Sequence, residues 1–142
     1  MSRGAPDWQP WTSVQRFSET GGATPFEHKI TVPANTPENN PHSEDIDLCK
    51  GFVAKVWIRF PTGPAGLLHI GIKDPSTGSK IWPGGSGQWF SGDNEIIEFN
   101  TEYDVPYVNS GVEKYHLEIV GWNEDDTYEH SALVRIWVVK LP

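Results

Sequence analysis

The ten residues Gly51–Phe60, GFVAKVWIRF, alternate so strictly that they constrain the fold more than any other part of the chain. Phe52, Ala54, Val56, Ile58 and Phe60 share one face, and Val53, Lys55, Trp57 and Arg59 share the other. That is the period of two of a half-buried strand. PTGPAG stops it. LLHIGIKD then alternates again, with Leu68, Ile70 and Ile72 on one side, and Asp74-Pro-Ser-Thr-Gly78 has turn chemistry. Lys80–Trp82 follows as a short strand, Glu95–Val105 runs until Pro106 breaks it, and Tyr115–Trp122 places Tyr115, Leu117 and Ile119 together. Ser131–Leu141 closes the chain, with Ala132, Val134, Ile136 and Val138 opposite Leu133, Arg135, Trp137 and Val139. With a short run at 28–32 this makes seven strand candidates, and no window has a helical repeat. Short strands separated by Gly, Pro, Asn and Asp turns predict an all-β chain forming a single β-sandwich of the jelly-roll kind. Greek-key or immunoglobulin-like connectivity is the alternative.

The two ends of the chain differ in texture. Residues 1–45 hold half of the twelve prolines, and outside 28–32 they show no strand or helix periodicity, so they read as an extended Pro-rich N-terminal arm. Residues 46–142 are the expected sandwich. The arm nevertheless carries Trp8, Trp11, Val14 and Phe17, too much aromatic area for an idle linker. Either it folds back across the domain or it lies on a neighbouring molecule.

Composition narrows the function. Nineteen acidic against eleven basic side chains give a net charge of −8, and the basic residues are scattered, so no nucleic-acid partner is expected. Cys49 is the single cysteine, which rules out an intrachain disulfide and reads as a small buried apolar residue. No apolar run approaches the roughly 20 residues of a membrane helix. The first residues, MSRGAPDWQPWTSVQRF, lack the apolar segment of a secretory signal, which points to a protein kept in a cytoplasm or released by another route.

No constellation for catalysis or cofactor binding stands out. His28, His42, His69, His116 and His130 are isolated, with no His-x-His pair and no HExxH, so no metal site is expected unless His69 and His116 meet across strands. GGSG at 84–87 lacks both a nucleophile elbow and the lysine of a phosphate loop. The carboxylates Asp93, Glu95, Glu98 and Glu124–Asp126 fall in or near turns, where solvated acids are the default. The densest acidic stretch, 123–129, is either a charged hairpin tip or one wall of a calcium loop. The sequence therefore reads as a binding protein without catalysis or cofactor.

Seven tryptophans exceed what one small core needs, so some belong at contacts with other molecules. The candidates are Trp8, Trp11 and Phe17 on the arm, and Trp82, Trp89 and Phe90 around the loop WPGGSGQWF. Trp82 is expected half in the core and Trp89-Phe90 to be the better contact. Trp57 and Trp137 share faces with Lys55, Arg59 and Arg135, which suggests rings stacked on arginine on a sheet covered by the arm or another subunit. In FVAKVWIRFPTGPAGLLHIGI, IWPGGSGQWFSGDNEIIEF and YHLEIVGWNEDDTYEHSALVRIWV the chain resembles virion accessory proteins of tailed phages and related viruses, in particular head decoration (cement) proteins. The resemblance implies a virion protein assembled in the host cytoplasm, a homo-oligomer, by that likeness a trimer, that bridges major capsid subunits and exchanges its arm with a neighbour. A carbohydrate-binding module, stacking sugars on Trp82 and Trp89, and a tail or baseplate component are the competing readings.

Overall fold

The computed structural model describes residues 22–109 and 113–141. These form ten strands: β1 (Thr24–Val32), β2 (His42–Asp47), β3 (Gly51–Phe60), β4 (Leu68–Asp74), β5 (Ser79–Trp82), β6 (Phe90–Ser91), β7 (Glu95–Asp104), β8 (Tyr107–Asn109), β9 (Glu113–Asn123) and β10 (His130–Lys140). One sheet runs β1-β10-β3-β7 and the other β2-β9-β4-β5, with β6 added to β4 and β8 to β9; every pairing is antiparallel. Without the short β6 and β8, the first strand pairs with the last, the second with the second-last, and so inward to β4 with β5. That nesting is the jelly roll, a folded-over hairpin split between two sheets.

The alternating strands supply the core. Ile30 and Val32 of β1, Val56, Ile58 and Phe60 of β3, and Ala132, Val134, Ile136 and Val138 of β10 are buried from one sheet. They meet Ile46 of β2, Leu68, Ile70 and Ile72 of β4, and Leu117 and Ile119 of β9 from the other. Each of these side chains larger than alanine contributes about 1.5–3 kcal/mol relative to an exposed one. Gly121 is level with this layer, where a Cβ would lie 2.8 Å from Val32 and 2.9 Å from Ile70.

The alternation of β3 breaks at one place. Trp137 and Val138 are consecutive, yet they pair with Lys55 and Val53, so Ala54 is an extra residue on β3 and forms a bulge. The bulge turns Val53 inward beside Val56 and leaves Phe52 and Ala54 on the outer side with Val139. The sequence pattern, which groups Phe52 and Ala54 with Val56 and sets Val53 beside Lys55, is corrected there.

Three strands lie beyond the seven read from the sequence. In β2, HSEDID, only Ile46 is buried. Its edge meets β1 across the seam between the sheets, where Glu44 accepts hydrogen bonds from His28 (2.7 Å), His42 (2.7 Å) and the Thr31 amide (3.3 Å). Burial pushes the Glu44 carboxyl up, but these three donors outweigh it and hold the group below its usual range. At another join between the sheets, the Tyr103 hydroxyl donates to the buried Asp74 carboxylate at 2.6 Å. Burial and the Asp74 charge push the Tyr103 phenol up to about 12.

Candidate functional site

The WPGGSGQWF loop joins β5 to β6 and straddles the edge of the second sheet. Trp82 turns inward, edge-on to Phe99 at 5.8 Å and to Tyr103 at 5.5 Å, and packs against the core. The chain then passes through the cis Trp82–Pro83 bond and the exposed residues Gly84–Gln88. It returns with Trp89 on the outer face and Phe90, the first residue of β6, turned in against the core and 5.8 Å from Phe99. The two tryptophans therefore clasp the sheet from opposite sides. Trp82 is half-buried in the core, as its strand position implies, and Trp89 is the one turned outward.

Trp89 ends a row of rings on that outer face. It meets Trp122 of β9 edge-on at 6.2 Å, and Trp122 stacks on His69 of β4 with centroids 3.9 Å apart and planes 13° from parallel. His69 and Trp122 are cross-strand partners, which is what brings them face to face. Gly71 makes room for the row, since a Cβ there would lie 3.2 Å from the Trp89 ring and 2.7 Å from the Lys80 chain. Lys80 Nζ sits 4.1 Å over Trp89 and donates to the Gln88 carbonyl, tying the loop down. Burial lowers the Lys80 pKa, partly offset by Glu38. Both ends of the row finish on carboxylates: Trp89 Nε1 donates to Glu38 at 2.9 Å and His69 Nε2 to Glu124 at 2.6 Å. Among the described residues, the buried Trp122 Nε1 has no hydrogen-bond partner.

The acidic stretch beside this row is spent on its own turn. Asn123, 1% exposed, donates to the carbonyls of Pro33 (3.3 Å) and Tyr128 (3.0 Å). Asp125 accepts from the amides of Thr127 (2.9 Å) and Tyr128 (3.1 Å) and from His130 (2.8 Å). Those donors, the Thr127 amide foremost, hold its carboxyl below the usual range. Among the described residues no group of three or more His, Cys, Asp or Glu side chains is placed to hold a metal ion. His69 and His116 do not meet: His69 lies opposite Trp122 and His116 opposite Asp47, six residues apart along β9 or about 20 Å.

The outer face of the first sheet pairs its rings with cations instead. Arg135 lies 4.6 Å over Trp57 and 5.8 Å over Trp137, Lys55 lies 5.0 Å over Trp137, and the two cations pair with Glu27 and Glu98 respectively. The arginine stacking suggested by the sequence is thus present. Farther along the face, Lys29, Leu133 and Arg59 stand in register across β1, β10 and β3, beside a depression of about 270 Å³. Next to Arg59 is Ile96, 51% exposed.

Of the six expected contact residues, Trp82, Trp89 and Phe90 converge on one loop, and Trp8, Trp11 and Phe17 lie outside the described residues. Sequence reasoning missed Trp122, His69, Lys80 and Glu38 as a group. Their only signal was the cross-strand alignment of His69 with Trp122, which needs the register.

No family model matches the chain, and no curated protein matches it. Among solved structures the fold is similar to a chain of a cyanophage Pam1 capsid asymmetric unit, with a TM-score of 0.50, 13% identity, and coverage of 84% of this chain and 85% of that one. The crystal structure of FLHE is more distant, at a TM-score of 0.43 and 11% identity over 82% of this chain and 97% of that one. The sandwich fold is therefore one that a viral capsid assembly also uses.

Proposed function

We propose that this protein is a non-catalytic structural component of a virion, a decoration protein that sits on the head and bridges major capsid subunits. The observation that carries the reading is the jelly roll with both outer faces dressed in aromatic rings and charged partners. Jelly rolls are a recurring shell-building fold, and one chain of a phage capsid assembly has this shape over most of its length. Fold alone does not assign function, so the weight falls on the surfaces. The rings of Trp122 and Trp89 each have one face taken by His69 or Lys80, which suits packing against a protein better than stacking a sugar.

In this reading Trp89 presents the loop contact while Trp82 and Phe90 brace it from within. Trp8 and Trp11 anchor the N-terminal arm on neighbouring subunits, and the protein assembles in the host cytoplasm as a trimer on the lattice. Arms that order on docking cover much surface from few residues. Quantitative mass spectrometry of gradient-purified particles tests this. A ratio near one copy per major shell subunit is expected; a few copies per particle would move the protein to the tail or baseplate, and its absence from particles would overturn a virion role.

A further inference from the structure

Phe52, Ala54 and Val139 face away from the core, yet each is 0% exposed. On the solvent side of a sheet such burial requires a cover. Among the described residues, the partly buried apolar residue packed on them is Ala23. Thr24 pairs with Val138, so one residue further out Ala23 comes level with Val139, and Val139 pairs in turn with Phe52. The chain therefore arrives from its N-terminal side directly beside this cluster. Gly22, at φ +98°, has the left-handed backbone that lets it turn there.

We propose that the cluster is the seat of the chain's own N-terminal segment, with Phe17 closing over Phe52, Ala54 and Val139 of the same molecule. The reach fits. Crossing from β1 over β10 to β3 takes two strand spacings, about 10 Å. Five extended residues separate Phe17 from Gly22 and span roughly 17 Å, whereas Trp11, eleven residues away, reaches about 36 Å, well past the cluster. Phe17 is the first large apolar side chain met on going back from Gly22. Being tethered beside the cluster gives it a high effective concentration there, against which another molecule's segment competes poorly. The segment then has two parts: a root that completes its own domain, and a reach carrying Trp8 and Trp11 that is left for a partner. The proposal stands whether or not the protein belongs to a virion.

The purified full chain tests it. Phe17→Ala is expected to lower the thermal midpoint by roughly 5 °C and to raise binding of an apolar-surface dye, while Trp8→Ala and Trp11→Ala leave both unchanged. An unchanged midpoint for Phe17→Ala, or equal losses for all three variants, would overturn the assignment. Should Phe17→Ala fail to fold, Phe17→Cys combined with Ala54→Cys in a Cys49→Ala background gives a second readout. A disulfide within one chain is expected on oxidation, and bonds only between chains, or none, would refute it. Neither readout involves particles, so failure here is distinct from failure of the virion role.

Discussion

The two outer faces hold their tryptophans by different main contacts. On the β2-β9-β4-β5 sheet the rings lean mainly on one another, His69 on Trp122 and Trp122 against Trp89, with one cation, Lys80, over Trp89 and carboxylates at the ends. On the β1-β10-β3-β7 sheet Arg135 and Lys55 stand over Trp57 and Trp137, and each cation is held by its own carboxylate. A ring packed on rings is desolvated by its own domain and mainly serves stability. A ring under a hydrated cation stays half-open, and its contribution grows when a partner excludes water. The face of the β2-β9-β4-β5 sheet is therefore tied down mainly by the chain's own loop, whereas Trp57 and Trp137 on the other sheet keep an open side.

Substitutions can break that contrast. The largest effect is expected at the end of the cation-bearing face, where Gly51 has φ +155° and an added Cβ would sit 2.0 Å from the Val139 carbonyl oxygen. Gly51→Ala is expected to cost about 4 kcal/mol in urea unfolding, by forcing β3 and β10 apart. Next is Trp122→Ala, expected to cost about 2–3 kcal/mol and to loosen Trp89, which a red-shifted fluorescence maximum would report. Arg135→Ala should cost only about 1 kcal/mol in the isolated protein. If Arg135→Ala destabilises as much as Trp122→Ala, the two faces are not different in kind.

The mildest effect at neutral pH belongs to the seam and turns between the faces. Glu44, Asp74 and Asp125 all have carboxyls held below their ordinary range by hydrogen bonds. Their folded values lie below their unfolded ones, so their stabilisation is complete above the unfolded carboxylate range, about pH 4–4.5, and is lost as the pH falls through the folded values. Urea midpoints measured from pH 7 down to pH 3 should hold steady and then drop. Glu44→Gln should flatten part of that drop.

How much of this was legible depended on whether the signal was local. The long strands β3, β4, β9 and β10 announce themselves because each buries every second residue against a full opposing sheet. β2 does not, since HSEDID buries Ile46 alone, and β6 and β8 have too few residues to show a period. The bulge at Ala54 is invisible because an alanine suits either face, and only the register with Trp137 and Val138 reveals it. Trp89 could be singled out from its glycine-rich loop, but its partners Glu38, Lys80 and Trp122 are brought in from three other segments. Histidines that look isolated in sequence acquire carboxylates up to 55 residues away, as His69 does with Glu124.

The Glu44 carboxylate on the Thr31 amide has a consequence for how the molecule behaves when crowded. β1 and β2 end their sheets, and the open amides of a terminal strand are where a second molecule's strand adds, the first step toward a fibre. By occupying one of those amides, with His28 and His42 locking it in place, Glu44 interrupts the template. A carboxylate lodged at the seam lets many copies lie side by side without their sheets growing into one another.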